Sequence, residues 1–160
     1  MALKLTEVVA NEAIIAELES TKRDDVIAEM IDALVQAGAA DAQHRDALVA
    51  AVLEREYKGS TGFGRGVAVP HVKHAGVKTM TAAVGRSSAG VDFSALDRQP
   101  VYSVVLLLSP DTNPEDHLKA MEVIFKSLGN ETFRRFLRQA SSREEIVELL
   151  NEADHQKLPG

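Results

Sequence analysis

Cysteine is absent from this 160-residue chain, which removes disulfides, thiolate metal sites and cysteine nucleophiles and is compatible with a reducing compartment. No apolar run approaches the length needed to span a bilayer, and Met1 to Thr6 lacks the basic stretch followed by a hydrophobic one that marks a secretory signal. The expectation is a cytoplasmic protein without membrane insertion. Basic charge is scarce as well: a formal net charge of −6 argues against a non-specific nucleic-acid binder, which needs a clustered basic surface to neutralise phosphates. There is no internal repeat and no low-complexity linker. A chain of this length buries a substantial core unaided, so one domain over residues 1–153 is expected, with a frayed tail at 154–160.

Hydrophobic periodicity outlines the elements. Residues 13–18 read as a short strand, after which Ser20 or Thr21 can cap a helix over 22–36 carrying Val26, Ile27, Met30, Ile31, Leu34 and Val35 on one face. Gly38 ends that helix, and a second runs from Asp41 to about Tyr57 with Leu48, Val49, Val52 and Leu53 as its stripe. Strands follow at 66–69, 80–85 and 101–108, with an edge piece at 91–93 and a turn at 97–100. Val104 to Leu108 is apolar on both alternating faces, as expected for a central strand covered on two sides.

Asn113-Pro114-Glu115-Asp116 combines a capping side chain, a proline suited to the first helical position and acids that complement the positive helix end. It opens a helix to about residue 128 that is expected to bury Leu118, Met121, Ile124 and Phe125. Gly129-Asn130 breaks it, a shorter helix carries Phe133, Phe136 and Leu137, and Ser141 or Ser142 caps a last helix with Ile146, Val147, Leu149 and Leu150. The fold class expected is α/β: a single domain whose mixed, roughly five-stranded sheet is flanked by helices on both faces.

The chemistry concentrates in Gly59-Ser-Thr-Gly-Phe-Gly-Arg-Gly-Val-Ala-Val-Pro-His71-Val-Lys-His74. Glycines give a bendable loop, Val67 and Val69 a short strand, and Pro70 ends it beside an imidazole that is nucleophilic near neutral pH. A phosphoryl acceptor needs an accessible ring nitrogen and donors for the phosphoryl oxygens. The Gly62 to Gly66 amides, Arg55 at the end of the preceding helix and His117 in the first turn of the helix opened by Asn113 are candidates. The positive end of that helix favours the neutral form of His117, and Glu115 and Asp116 should point away.

Other readings fit less well. A nucleotide-binding glycine loop follows a strand and opens a helix, whereas this one follows a helix and precedes a strand, and no Gly-Lys-Ser/Thr ending is present. His71 and His74 are spaced for a metal but lack a third and fourth ligand nearby. His44 and His155 read as structural, and Arg65 either touches a phosphate or decorates the loop.

The constellation resembles the type 2 EIIA domains of the bacterial phosphoenolpyruvate-dependent sugar phosphotransferase system, the mannitol/fructose and nitrogen-regulatory group. The resemblance runs through Leu53-Glu54-Arg55-Glu56, the Gly59 to His71 segment, the Leu-rich strand and Asp116-His117-Leu118. It implies that His71 is the phosphorylated histidine, usually through Nε2, His117 the second active-site histidine and Arg55 the active-site arginine. No metal or organic cofactor is implied, because the donor is a protein: the phosphocarrier HPr or a nitrogen-type HPr. The phosphate then passes to a IIB domain or signals to regulated enzymes or transporters. The Gly-Ser-Thr-Gly form of the loop resembles the nitrogen-regulatory branch, and no attached IIB or IIC segment is seen, so a regulatory EIIA is the preferred reading. A sugar-specific EIIA and a non-phosphorylated interaction module are the alternatives. His74 is given no family role.

Overall fold

The apolar run expected to be central becomes β6 (Val101–Pro110), the spine of a mixed six-stranded sheet in a computed structural model that describes residues 3–156 and 158. β1 (Val9–Ile15) lies parallel to β5 (Thr81–Val91), and β5 lies antiparallel to β6. On its other side β6 pairs in parallel with β3 (Val67–Ala68) and then β4 (His71–His74), while β2 (Gly62–Gly64) folds back on β3. β3 and β4 are two halves of one strand position interrupted at Val69-Pro70. The expected strand at 66–69 is therefore shorter, and a further strand begins at His71, where Pro70 was expected to end pairing. Pro70 has no N–H, but its carbonyl still accepts from the Leu107 amide at 3.0 Å, which carries the pairing across the interruption.

Alternation along β6 assigns the layers. Val104, Leu106 and Leu108 face α2 (Arg23–Gln36) and α3 (Arg45–Lys58), and Val105 and Leu107 face α4 (Pro114–Leu128), α5 (Glu131–Gln139) and α6 (Arg143–Asp154). A one-turn helix, α1 (Leu5–Val8), joins the second layer and has no counterpart in the periodicity reading.

Several boundaries move for identifiable reasons. β1 starts before the expected 13–18 because a register shift between Val9 and Ile14 exposes Asn11 and Glu12 and breaks the alternation. Its outer edge is covered by Arg143, whose guanidinium donates to the carbonyls of Ile14 and Glu12. Neither Ser20 nor Thr21 caps α2; the Glu29 carboxylate instead accepts from the Glu19 and Ser20 amides. Asp41 caps a 3₁₀ turn, Ala42–His44, ahead of α3. Val91 ends β5, so the expected edge piece is the tail of that strand. Asn113, Asn130 and Ser142 cap α4, α5 and α6. Asp154 is the last helical residue, and its carboxylate accepts from the Leu5 and Thr6 amides and the Thr6 hydroxyl. Of the expected tail, residues 157, 159 and 160 lie outside the described residues.

The largest correction concerns α4. Its buried residues are His117, Ala120, Ile124 and Leu128, while Leu118 is 60% and Phe125 37% exposed. A histidine occupies the core-facing position, so the stripe is rotated by about one residue from the one read off the apolar side chains. In α5, Phe133 and Leu137 face inward and Phe136 is exposed.

Candidate active site

His71 pairs with Leu107, Lys73 with Ser109 and His74 with Pro110. Directly paired residues project to the same face of a sheet, so His71, Lys73 and Ser109 share the α4 side, whereas Val72 and His74 point towards α2 and α3. The interruption at Pro70 decides how His71 is held. Its Nδ1 lies 2.7 Å from the Val69 carbonyl oxygen. A carbonyl only accepts, so Nδ1 carries the proton and Nε2 is left with the lone pair. Burial, reinforced by the positive charges of Arg55 and Lys73, holds the His71 pKa below the ordinary histidine value, with the Val69 bond and Glu56 opposing.

His117 is buried in the first turn of α4, with Nδ1 2.6 Å from the Ser109 hydroxyl. Burial, then the positive forms of His71 and Lys73, push its pKa down to about 4. Loss of hydration, more than the helix end, keeps it neutral. The two imidazoles stand with ring centroids 5.7 Å apart and planes inclined by 44°, so the histidines that are distant in sequence meet where β4 begins, beside the carboxyl-terminal half of β6. Glu115 and Asp116 are exposed, and Asp116 is turned back to accept from the Asn113 amide group at 2.7 Å.

Adjacent residues of the last turn of α3 secure the chain leading into the glycine segment. Arg55 Nη1 donates to the Gly59 carbonyl at 2.8 Å. Glu56, 2% exposed, accepts from both the amide and the hydroxyl of Thr61 at 2.8 Å. Arg55 therefore sits close enough to act electrostatically on His71 and is itself fixed by the turn.

The glycine segment is less open than expected. Gly62–Gly64 forms β2, the Gly62 amide donates to the Ser60 hydroxyl, and the Arg65 amide donates to Asp97. Gly64 and Gly66 have φ of +106° and +79°, the left-handed region that favours glycine; Arg65, at +61°, shares it. Alanine at Gly62 would bring its Cβ to 2.9 Å from that of Ala95. Further along α4, Phe63 stacks edge-on against Phe125 at 5.0 Å, and Leu118 stands exposed on the same helix.

The sequence reading missed Ser109, Glu56 and Thr61. Ser109 had a signal, a hydroxyl ending the longest apolar strand. The Glu56–Thr61 pair had none, because a buried carboxylate next to an arginine on a polar helix end looks solvated until the turn closes over it. His74 accepts from the Gly76 amide within a turn and faces away from His71. Among the described residues no group of three or more histidine, aspartate or glutamate side chains converges on a point where a metal could be held.

Residues 7–153 match the family model for the EIIA 2 component of the phosphoenolpyruvate-dependent sugar phosphotransferase system. The chain belongs to this EIIA family. It is 36% identical over 152 residues to the fructose-specific EIIABC component of Bacillus subtilis, covering 95% of the chain and 24% of that protein. It is 36% identical over 141 residues to a fructose-specific EIIA component of Haloferax volcanii, covering 88% of the chain and 90% of the relative. The crystal structure of the nitrogen regulatory protein IIA-Ntr of Neisseria meningitidis superposes with a TM-score of 0.81 at 30% identity, covering 90% of this EIIA chain and 97% of that one. Both nitrogen-regulatory and sugar-specific proteins are thus similar to it, and among the described residues no helix is long and apolar enough to cross a membrane.

Proposed function

We propose that this EIIA domain is a cytoplasmic phosphohistidine carrier that accepts a phosphoryl group on Nε2 of His71 from HPr or a nitrogen-type HPr. The observation that carries the reading is the 2.7 Å contact between His71 Nδ1 and the Val69 carbonyl, which leaves Nε2 unprotonated on a ring kept neutral by burial. The Nε2 lone pair forms the new N–P bond as the N–P bond to the donor's histidine breaks, and the donor's imidazole leaves with that electron pair. The Val69 carbonyl keeps the Nδ1 proton and offsets the positive charge that spreads into the phosphorylated ring. Arg55 supplies a cation for the phosphoryl oxygens. A hydroxyl can donate as well as accept, and in the tautomer in which Ser109 donates to Nδ1, His117 presents Nε2–H as a neutral donor to the same group.

The Gly-Ser-Thr-Gly segment and the fit to the Neisseria structure support a nitrogen-regulatory role, with the phosphorylation state read by regulated enzymes or transporters. The identity with the Haloferax fructose component favours a second reading, a sugar-specific EIIA that passes phosphate to a IIB domain. An interaction module that is never phosphorylated fits poorly with His71, Arg55 and His117 brought to one place. Incubation with phosphoenolpyruvate, enzyme I and each HPr type, read by intact mass, tests the proposal. Wild type gains one phosphoryl group and His71→Ala gains none; an unmodified wild type with both donors would end the carrier reading.

A further inference from the structure

The opposite end of β6 carries a different chemistry. Tyr102 sits at the start of that strand, its ring against Gly66 and Gly90; alanine at Gly90 would place a Cβ 3.1 Å from the ring, and at Gly66 3.3 Å. The guanidinium carbon of Arg138 lies 3.7 Å above the ring centroid. One turn earlier on α5, Arg135 lies 5.4 Å from the ring centroid of Phe136, which is 46% exposed. The helix end is fixed from the sheet, because Arg86 Nε donates to the Arg138 carbonyl at 2.7 Å and Arg86 Nη1 to the Ala16 carbonyl and Glu17. These two arginines are exposed, and among the described residues neither has a carboxylate partner, in contrast to Arg23, Arg45 and Arg86.

A guanidinium stacked on an aromatic ring uses its face and keeps its N–H groups in plane, aimed outward and held in a set orientation. Two such groups at i and i+3 are neighbours on the surface of α5, and the exposed Phe136 flanks Arg135 on its other side, an arrangement that matches two carboxylates beside an apolar contact. Elsewhere the chain is acidic, with a net charge of −6, so an acidic partner is repelled by most of the surface and steered to this face.

We propose that Arg135, Phe136 and Arg138, backed by Tyr102, form a second docking surface for an acidic, Asp/Glu-rich segment of a partner protein. Tyr102 and the His71 partner Leu107 are five residues apart along β6, about 17 Å. A partner bound there leaves His71 accessible, so the domain can exchange phosphate with a donor while docked.

The test uses ¹⁵N-labelled protein and a synthetic Asp/Glu-rich peptide containing one leucine, titrated at 0.15 M salt. Amide resonances of Tyr102, Arg135, Phe136 and Arg138 shift on binding, and those of His71 and His117 do not. Arg135→Glu with Arg138→Glu weakens binding at least about tenfold, whereas Lys22→Glu with Lys78→Glu, the same change in net charge, leaves it within about twofold. Arg138→Lys keeps the charge but loses the planar stack and weakens binding about threefold or more. All variants retain phosphorylation of His71 by intact mass, which separates failure of this surface from failure of the carrier reading. Shifts spread over all basic residues, equal losses in both charge-swapped pairs, or tighter binding of a single-stranded oligonucleotide to the same residues would overturn the proposal. So would a dimer whose contact shields Arg135 and Arg138.

Discussion

The two ends of β6 handle charge in opposite ways. At the carboxyl end, His71 and His117 are held neutral by burial, and each Nδ1 has a partner in Val69 or Ser109. At the amino end, Arg135 and Arg138 stand exposed and lean on aromatic rings. A group that must form and break a bond to phosphorus is better uncharged and oriented before the donor arrives; a group that only attracts can stay hydrated. The same strand thus supports one end suited to chemistry and another suited to attraction.

The contrast can be broken or sharpened in four ways. His117→Ala should slow phosphoryl gain about 100-fold while leaving the final mass increase intact, since one preorganised donor is lost and the acceptor remains. A rate equal to wild type in a rapid-quench assay would leave the carboxyl end with one working histidine.

Acid should weaken the fold through that same end. The folded pKa of His117, about 4, lies below its usual value near 6.5, so between those values the unfolded chain binds a proton that the folded chain does not. Stability is complete above about pH 6.5 and falls as pH drops towards 4, by about 1–3 kcal/mol from this residue; the lowered His71 pKa acts in the same direction. Urea unfolding at pH 7 and 4.5 checks it, and His117→Gln should flatten the difference.

Ser109→Ala should slow transfer about tenfold by freeing the His117 tautomer, a loss that His117→Ala already contains. The double variant should therefore be no slower than His117→Ala. Smallest of all, Arg138→Ala should lower stability by about 0.5–1 kcal/mol, the scale of an exposed cation–π contact, with no change in the transfer rate. Thermal unfolding beside the rapid-quench assay distinguishes this end from the other.

Long, regular patterns were legible in the sequence. The doubly apolar 101–108 run became the central strand, and the helix opened by Asn113-Pro114 begins where its cap and proline required. Irregular pieces were not: the register shift in β1 hides its start, β2 is a three-residue piece folded back on a two-residue β3, too short to show alternation, and β4 owes its existence to β6, a pairing partner distant in sequence. His71 stood out through its loop and His117 through its helix cap, but their meeting depended on topology and was anticipated only through family resemblance. Leu118 and Phe125 were assigned to the core because hydrophobicity was read without regard to a buried histidine at 117. Glu56 and Thr61 act through bonds that no local pattern encodes, and the hydroxyl ending an apolar strand marked Ser109 without naming its partner His117.

The most direct measurement is ¹⁵N and ³¹P NMR of histidine-labelled protein before and after phosphorylation. The account predicts that His71 carries its proton on Nδ1 at neutral pH and that the new N–P bond forms at Nε2. A proton on Nε2, or phosphorus bonded to Nδ1, would contradict it.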